Sequence, residues 1–206
     1  MKLFDGSNRC PLNIRRVQFR VVTQSTSPKP ITADDLLSMG DIGRCELING
    51  ELVMMSPAGL AHGMVAMRIG RYLSEFVEEH NLGSVFAAET GFKVHSNPDL
   101  VRAPDTSFIQ KSRLAGKLPK GFFEGAPDLA VEVLSPDDSK REVDKKIKMW
   151  LEHGTTSVWL ADPASRTIAV YRAGCKPILL EFSNKLHNEP MLPGFVMILS
   201  KVFKQP

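Results

Sequence analysis

The sequence lacks the features that typify disulfide-stabilised, zinc-binding and membrane proteins. Only three of its 206 residues are cysteines, Cys10, Cys45 and Cys175, and they form no CxxC pair. This usage argues against a disulfide framework and against a structural zinc site. No apolar run approaches the length of a membrane span, and the first twenty residues lack the continuous apolar stretch of a secretory signal. We therefore expect a cytoplasmic protein without a membrane partner.

Nucleotide-binding and acyl-transfer signatures are also absent. The chain has no Walker A motif, no Rossmann glycine pattern and no Ser/His/Asp arrangement. A composition of 43% hydrophobic and 24% charged residues is that of a globular protein, and the length fits one domain better than two. The net charge of +3 is compatible with a polyanionic partner without requiring one. A Ser- and Pro-rich stretch ending at Pro30 divides the chain into an N-terminal extension, 1–30, and one domain, 31–206.

Local patterns along residues 31–206 predict a mixed α/β sheet flanked by helices, with an N-terminal β-hairpin. Asn49-Gly50 between two apolar runs is a strong hairpin signal, and an apolar stripe at helical spacing predicts a helix from His62 to His80. A second helix is predicted from Ser135 to about Glu152, with Ser135 as its N-cap. The predicted strands are Val85–Val94, Asp105–Ile109, Leu129–Leu134, Ser157–Ala161 and Ile168–Arg172, with a further edge at Met191–Leu199 and a loop at Lys111–Gly125.

Glu132 is the most informative single residue. It interrupts the otherwise apolar strand Leu129–Leu134, which is typical of a strand buried on both faces. A buried carboxylate without a partner costs several kcal/mol, so Glu132 should have a cation, a metal ion or a proton. The alternatives are a structural ion pair with an arginine, or an edge strand that exposes Glu132 to water.

Asp105 offers a second carboxylate at the start of a predicted strand. If that strand is the neighbour of Leu129–Leu134, Asp105 and Glu132 can meet at one end of the sheet. Two converging carboxylates suit Mg²⁺, which takes oxygen ligands and keeps several waters. The alternative is that Asp105 is an ordinary turn residue after Pro104.

Lysines on the helix after Glu132 could complete such a site. The apolar stripe of this helix consists of Val143, Ile147, Trp150 and Leu151. Lys146 lies roughly 85° from the centre of the stripe, Lys148 roughly 115°, and Lys145 nearly opposite to it. Lys146 is therefore the best placed of the three to point inward, whereas most lysines on such a helix are simply solvated.

The order Pro104-Asp105, Glu132 and then a lysine resembles the PD-(D/E)XK nuclease superfamily. Several further stretches are similar to its restriction-endonuclease-like domain family, and together they span roughly residues 32 to 203. They are Glu46-Leu47-Ile48-Asn49-Gly50-Glu51-Leu52, Ser56-Pro57 followed by His62, Arg102-Ala103-Pro104-Asp105, Pro127-Asp128-Leu129-Ala130-Val131-Glu132-Val133-Leu134-Ser135-Pro136, Val158-Trp159-Leu160-Ala161-Asp162-Pro163, and Leu192-Pro193-Gly194-Phe195.

This resemblance implies a Mg²⁺-dependent endonuclease (Mn²⁺ being an alternative metal) that hydrolyses DNA, with Asp105 and Glu132 as metal ligands. It adds Glu46 as a further acidic ligand, which the residues alone would leave as a solvated hairpin residue. Leu134 occupies the position of the usual lysine, so the resemblance carries that catalytic role onto Lys146. If no lysine reaches the site, the chain is instead an inactive nucleic-acid-binding or interaction module on the same fold. A hydrolase acting on another phosphorylated substrate is a third hypothesis.

Other polar residues carry weaker signals. Glu89 is a candidate neighbour of the site, and a lone histidine such as His62 is more often a capping or packing residue than a ligand. Asp128 is expected to lie away from the metal, and Asp162-Pro163 to form a turn. The basic loop of Lys111, Arg113, Lys117 and Lys120 is either solvated or in contact with DNA phosphates. A homodimer is compatible with cleavage of both strands of a duplex.

Overall fold

The computed structural model describes residues 29–114, 116 and 118–205, so Lys117 and nearly all of the predicted extension lie outside the described residues. The helices are α1 (Ala33–Ser38), α2 (Leu60–Glu79), α3 (Lys140–Glu152) and α4 (Leu199–Val202). The strands are β1 (Cys45–Ile48), β2 (Glu51–Met54), β3 (Gly83–Ala87), β4 (Phe92–His95), β5 (Leu100–Arg102), β6 (Thr106–Gln110), β7 (Phe123–Glu124), β8 (Leu129–Val133), β9 (Ser157–Asp162), β10 (Thr167–Tyr171), β11 (Ile178–Leu180), β12 (Lys185–Glu189) and β13 (Leu192–Ile198). Within these ranges no helix is long and apolar enough to cross a membrane.

The larger sheet has the strand order β11-β10-β9-β8-β6-β3. Strands β8 and β9 are parallel, and α3 forms the crossover that parallel neighbours require. Strand β6 is antiparallel to β8, with Thr106 opposite Val131, so the start of β6 lies beside the end of β8. The residues just beyond this pair, Asp105 and Glu132, are therefore held at the same end of the sheet.

This sheet is covered on both faces, as the apolar character of β8 predicts. All five residues of β8 are buried. Val131 and Val133 pack in the core that contains α2, whereas Ala130 packs with Ile147 and Trp150 of α3. Because side chains alternate along a strand, Glu132 faces α3 together with Ala130.

A second sheet, of order β2-β1-β5-β4-β7, carries Glu46. The predicted hairpin at Asn49-Gly50 is confirmed, and both residues have positive φ, 53° and 79°, as a tight two-residue hairpin turn requires. Helix α1 packs Leu36 against Leu47 of β1 in a small core of its own. The predicted mixed α/β arrangement is confirmed, although its strands divide between more than one sheet.

Three predicted elements are wrong in their bounds. The predicted loop Lys111–Gly125 begins with a short 3-10 helix, Lys111–Arg113, and contains strand β7. The predicted strand Val85–Val94 is two strands, β3 and β4, which belong to different sheets because the chain turns at Glu89 (φ 70°). The helix predicted from Ser135 begins only at Lys140, where the Ser139 side chain accepts a hydrogen bond from the Glu142 N–H at 3.3 Å. Ser135 instead opens a turn, in which its N–H donates to the Asp138 carboxylate.

Candidate functional site

The four residues predicted for the site come together where the two sheets meet α3. The Lys146 ammonium nitrogen lies 2.8 Å from a Glu132 oxygen and 3.6 Å from a Glu46 oxygen. Asp105 joins the cluster because its carboxylate accepts the N–H of Val133, the residue after Glu132, at 2.8 Å. The three acids are almost fully buried, with Glu46, Asp105 and Glu132 exposed by 4%, 6% and 7%.

Helix α3 binds both oxygens of Glu132. Lys146 takes one oxygen, and the indole N–H of Trp150 donates to the other at 2.7 Å. Lys146 and Trp150 lie on the same face of α3 because they are four residues apart. The helical periodicity that favoured Lys146 over Lys145 and Lys148 thus predicted its direction correctly.

The buried acids differ in how readily they ionise. Burial raises the pKa of Glu132, and the negative charge of Asp105 raises it further. The nearby Lys146 and the Trp150 hydrogen bond oppose this rise, and the resulting pKa is about 7. Burial lowers the pKa of Lys146, but the surrounding carboxylates more than compensate and raise it, so Lys146 remains an ammonium ion. Glu132 therefore lies near the midpoint of its titration at neutral pH.

Asp105 is held as a carboxylate by groups from α2, from α3 and from β8. His62, in the first turn of α2, places its Nε2 3.2 Å from one Asp105 oxygen, and Arg44 lies 3.4 Å from the other. Burial acts to raise the pKa of Asp105, but His62, the Val133 N–H and the charge of Lys146 hold it below its usual value. Asp105 is therefore the more firmly ionised member of the acidic pair.

Glu46 is fixed by the neighbouring strand β5. Its carboxylate accepts hydrogen bonds from the Arg102 guanidinium at 2.5 Å and from the Ala103 N–H at 3.2 Å. Strands β1 and β5 are antiparallel, with Leu47 opposite Val101. This register places Glu46 opposite Arg102, so those two side chains lie on the same face of the sheet. Glu46 also contacts Lys146, which in turn contacts Glu132. Glu46 therefore links the second sheet to the acidic pair.

A cavity of about 330 Å³ opens beside this cluster. Glu46 and Lys146 line it together with Arg44, Arg102 and the exposed Glu89. Helix α1, β5 and Phe122 contribute apolar parts of its wall. The cavity thus provides an approach from solvent to the lysine that covers Glu132.

The remaining predicted residues lie elsewhere. Asp128 stands at the opposite end of β8, where it accepts the Gln110 N–H at 2.8 Å and pairs with Arg113 at 3.2 Å. Its predicted distance from the site is confirmed, and Arg113 of the basic loop is engaged in this structural contact. Asp162 forms the predicted turn by accepting the Ala164 N–H.

Sequence patterns did not identify Arg44, Arg102 or Trp150 as site neighbours. Trp150 was assigned to the apolar stripe of α3, and only its indole N–H distinguishes it from a core residue. Arg102 belongs to a strand too short to show periodicity. A buried carboxylate needs a cationic partner, so recognising that Glu46 is buried would have indicated a residue such as Arg102.

The donor chemistry of Asp105 and Glu132 fits Mg²⁺. Among the described residues, no group of three or more His, Cys, Asp and Glu side chains is arranged as a ready metal site. Mg²⁺ does not need such a cage, since it is commonly bound by one or two carboxylates and keeps several waters. Two adjacent buried carboxylates, one of which titrates near neutrality, offer a divalent cation the charge that it requires.

Comparisons with known proteins agree with this architecture. A family model named Uma2 and described as "Putative restriction endonuclease" matches residues 33–200. The solved structure of a putative nuclease belonging to DUF820 from Anabaena variabilis ATCC 29413 is 26% identical, with a TM-score of 0.72. That match covers 84% of this chain and 98% of the other. Comparison with curated proteins found no match.

Proposed function

This chain belongs to the Uma2 family of putative restriction endonucleases, and we propose that it is a Mg²⁺-dependent endonuclease that hydrolyses DNA phosphodiester bonds. The observation that carries the proposal is the contact of Lys146 with Glu132 at 2.8 Å, beside the Asp105 carboxylate. Two acids that can hold a metal ion and a lysine that can stabilise developing negative charge suit metal-assisted phosphodiester hydrolysis. Leu134 stands where the family's usual lysine is expected, which favoured an inactive binding module. The contact of Lys146 with Glu132 supports an active enzyme instead.

Asp105 and Glu132 would hold the metal ion, with Glu46 as a further acidic ligand. When bound there, Mg²⁺ would polarise the scissile phosphate and lower the pKa of an attacking water. Mn²⁺, which has similar ligand preferences, would serve as a substitute.

The protein's own residues then have separate tasks. Lys146 remains charged and would stabilise negative charge developing on the phosphate or orient the attacking water. His62 and the Val133 N–H keep Asp105 ionised, Arg44 contacts the same carboxylate, and Arg102 keeps Glu46 in place. Trp150 fixes the orientation of Glu132 and fills the space behind it, which keeps bulk water away from that carboxylate.

The test is cleavage of plasmid and single-stranded DNA by the full chain in Mg²⁺ or Mn²⁺. We expect Asp105→Asn and Glu132→Gln each to reduce the rate by at least 100-fold, because each substitution removes a charged ligand while preserving shape. Asp128→Asn is the matched control, since Asp128 is equally buried but lies at the opposite end of β8. Cleavage that continues at the wild-type rate in both site variants would refute the proposal.

A further inference from the structure

The acidic pair lies below the molecular surface. Asp105 and Glu132 are buried, and of the four predicted site residues it is Glu46 and Lys146 that line the cavity. A phosphate that enters through this cavity meets Lys146 before it reaches Glu132. It must also bring part of its own nucleotide into the cavity.

The wall of the cavity combines charged and apolar surface. Its cationic groups, which stand beside the carboxylates of Glu46 and Glu89, are Arg44, Arg102 and Lys146. Its apolar side chains include Leu36, Leu37, Val101 and Phe122. A nucleotide combines the same two kinds of surface, since it joins an anionic phosphate to a flat base with large apolar faces.

An aromatic ring forms part of the cavity wall. Phe122 lines the cavity and packs close to Gly91, where an added Cβ would lie 2.3 Å from the ring. An aromatic ring in such a wall offers a surface on which a base can stack, and such stacking contributes about 1–3 kcal/mol per base.

Arg102 is held in the cavity wall by one of the acids. Its guanidinium donates to the Glu46 carboxylate at 2.5 Å, which keeps this cation beside the cluster. A guanidinium held there attracts the phosphate of a nucleotide that enters the cavity.

Size distinguishes a single nucleotide from a base pair. A volume of about 330 Å³ lies near the lower end of ligand pockets, which range from roughly 300 to 1,000 Å³. A base that remains paired brings its partner and a second backbone, for which this cavity has no room. Enzymes that act on a recessed nucleotide use single strands or extrude the nucleotide from the duplex.

We propose that this cavity receives one unpaired nucleotide next to the scissile phosphate, so that the substrate of the enzyme is unpaired DNA. The inference rests on the proposed nuclease function for the identity of the ligand. It assigns Leu37, Val101 and Phe122 to substrate selection, a role separate from the chemistry of the acids.

Binding is measured with a fluorescein-labelled 20-nucleotide DNA strand, alone and annealed to its complement, by anisotropy in EDTA so that no cleavage occurs. We expect the single strand to bind at least tenfold more tightly than the duplex. Leu37→Trp should fill the cavity from α1, because Leu37 lines it while remaining 45% exposed. This substitution should weaken single-strand binding at least fivefold and leave duplex binding unchanged.

Leu179→Trp is the matched control, since Leu179 is also exposed (63%) but lies on β11, and it should change neither affinity. Phe122→Ala is a second variant, which removes the stacking surface without filling the cavity, and should weaken single-strand binding. Equal affinity for strand and duplex, or a preference retained in both cavity variants, would overturn the inference.

Cleavage of the same two DNAs in Mg²⁺ separates this inference from the proposed function. Preferential binding of the single strand without cleavage of either DNA contradicts the nuclease proposal and leaves the cavity assignment standing. Equal cleavage of duplex and single strand supports the nuclease proposal and overturns the cavity assignment.

Discussion

Lys146 is the residue on which the charge balance of the site depends. Its ammonium ion lies between Glu132 and Glu46, and Asp105 adds a third negative charge nearby. Removing one partner from a buried ion pair leaves the other partner uncompensated, which is more costly than never having had the pair. A neutral side chain at position 146 therefore affects stability as well as activity.

We expect Lys146→Met to raise the pKa of Glu132 above its wild-type value of about 7. In the folded variant Glu132 keeps its proton to a higher pH than in the unfolded chain, where its pKa is the unperturbed 4.5. The free energy of unfolding therefore falls as pH rises from the unfolded pKa of Glu132 through its folded pKa. The loss should be small at pH 5 and about 3 kcal/mol at pH 8.5. Urea denaturation at the two pH values measures the difference.

Lys145→Met is the control, because Lys145 is exposed on the opposite side of α3. This substitution should leave the free energy of unfolding unchanged at both pH values. A loss in Lys146→Met that is equal at pH 5 and pH 8.5 would contradict the assigned role of Glu132. DNA cleavage by Lys146→Met should fall about 100-fold, the usual effect of removing a charge-stabilising donor.

At the scale of elements, α3 connects the parallel strands β8 and β9 and delivers Lys146 and Trp150 to Glu132. Its start determines the register of those two side chains against the sheet. Ser135, with Asp138 three residues on, is the N-cap predicted from the sequence, but Ser139 and Glu142 have the same capping-box spacing. The second pair caps the helix, since Ser139 accepts the Glu142 N–H.

Ser139→Ala should lower the free energy of unfolding by about 1 kcal/mol, the usual cost of losing an N-cap. Ser135→Ala should change it by much less, because the turn at Ser135 uses the backbone N–H rather than the hydroxyl. Urea midpoints of the two variants provide the comparison. A larger effect of Ser135→Ala would favour the helix start predicted from the sequence.

Elements long enough to show a repeating apolar pattern were predictable from the sequence, and very short strands were not. Helix α2 buries Val65, Ile69, Leu73 and Val77 at four-residue spacing, and β8 is apolar throughout. By contrast, β5 has three residues and β7 has two, too few to show alternation. The division of Val85–Val94 between two sheets depends on the turn at Glu89, and the one local sign of it is Gly91 within an otherwise strand-like segment.

The same contrast applies to the site. Glu132 was predictable because a charged residue in a buried strand demands an explanation, and Lys146 because helical geometry gives its direction. Glu46 entered only through resemblance, since its burial depends on β5 pairing with β1. The partners Arg44 and Arg102 depend on tertiary contacts, which periodicity does not encode.

At the scale of the whole molecule, the site is shared between two sheets. The larger sheet supplies Asp105 and Glu132, and the smaller supplies Glu46. Asp99 stabilises the smaller sheet, because its carboxylate accepts the Ala33 N–H at the start of α1 and its carbonyl accepts the Gly50 N–H of the hairpin. The positions of α1 and of the hairpin that carries Glu46 thus depend on contacts outside the site.

Asp99→Asn should destabilise the protein by about 1–2 kcal/mol at pH 7, because a neutral acceptor replaces a charged one in the hydrogen bond to Ala33. The Ala33 hydrogen bond lowers the pKa of Asp99 despite the opposing effect of burial, and the Asn97 N–H and Lys93 lower it further. This stabilisation is present above the unfolded pKa of 3.8 and is lost as pH falls through the lower folded value. The difference between wild type and variant should shrink below pH 4 in urea denaturation. A constant difference across this range would exclude the charge as its origin.

The indole of Trp150 allows cation binding at the site to be followed by intrinsic tryptophan fluorescence. Trp150 and Trp159 are both fully buried, and each donates its N–H to a carboxylate, Glu132 and Glu189 respectively. A cation that binds Glu132 changes the electric field at Trp150 and leaves Trp159 as an internal reference. Titration of the Trp159→Phe protein with Mg²⁺ should therefore shift its emission, whereas the Trp150→Phe protein should not respond. Emission that is equally silent in both proteins would show that the cation does not reach Glu132. Occupancy of the site is thus readable as light emitted by the native chain, without any attached dye.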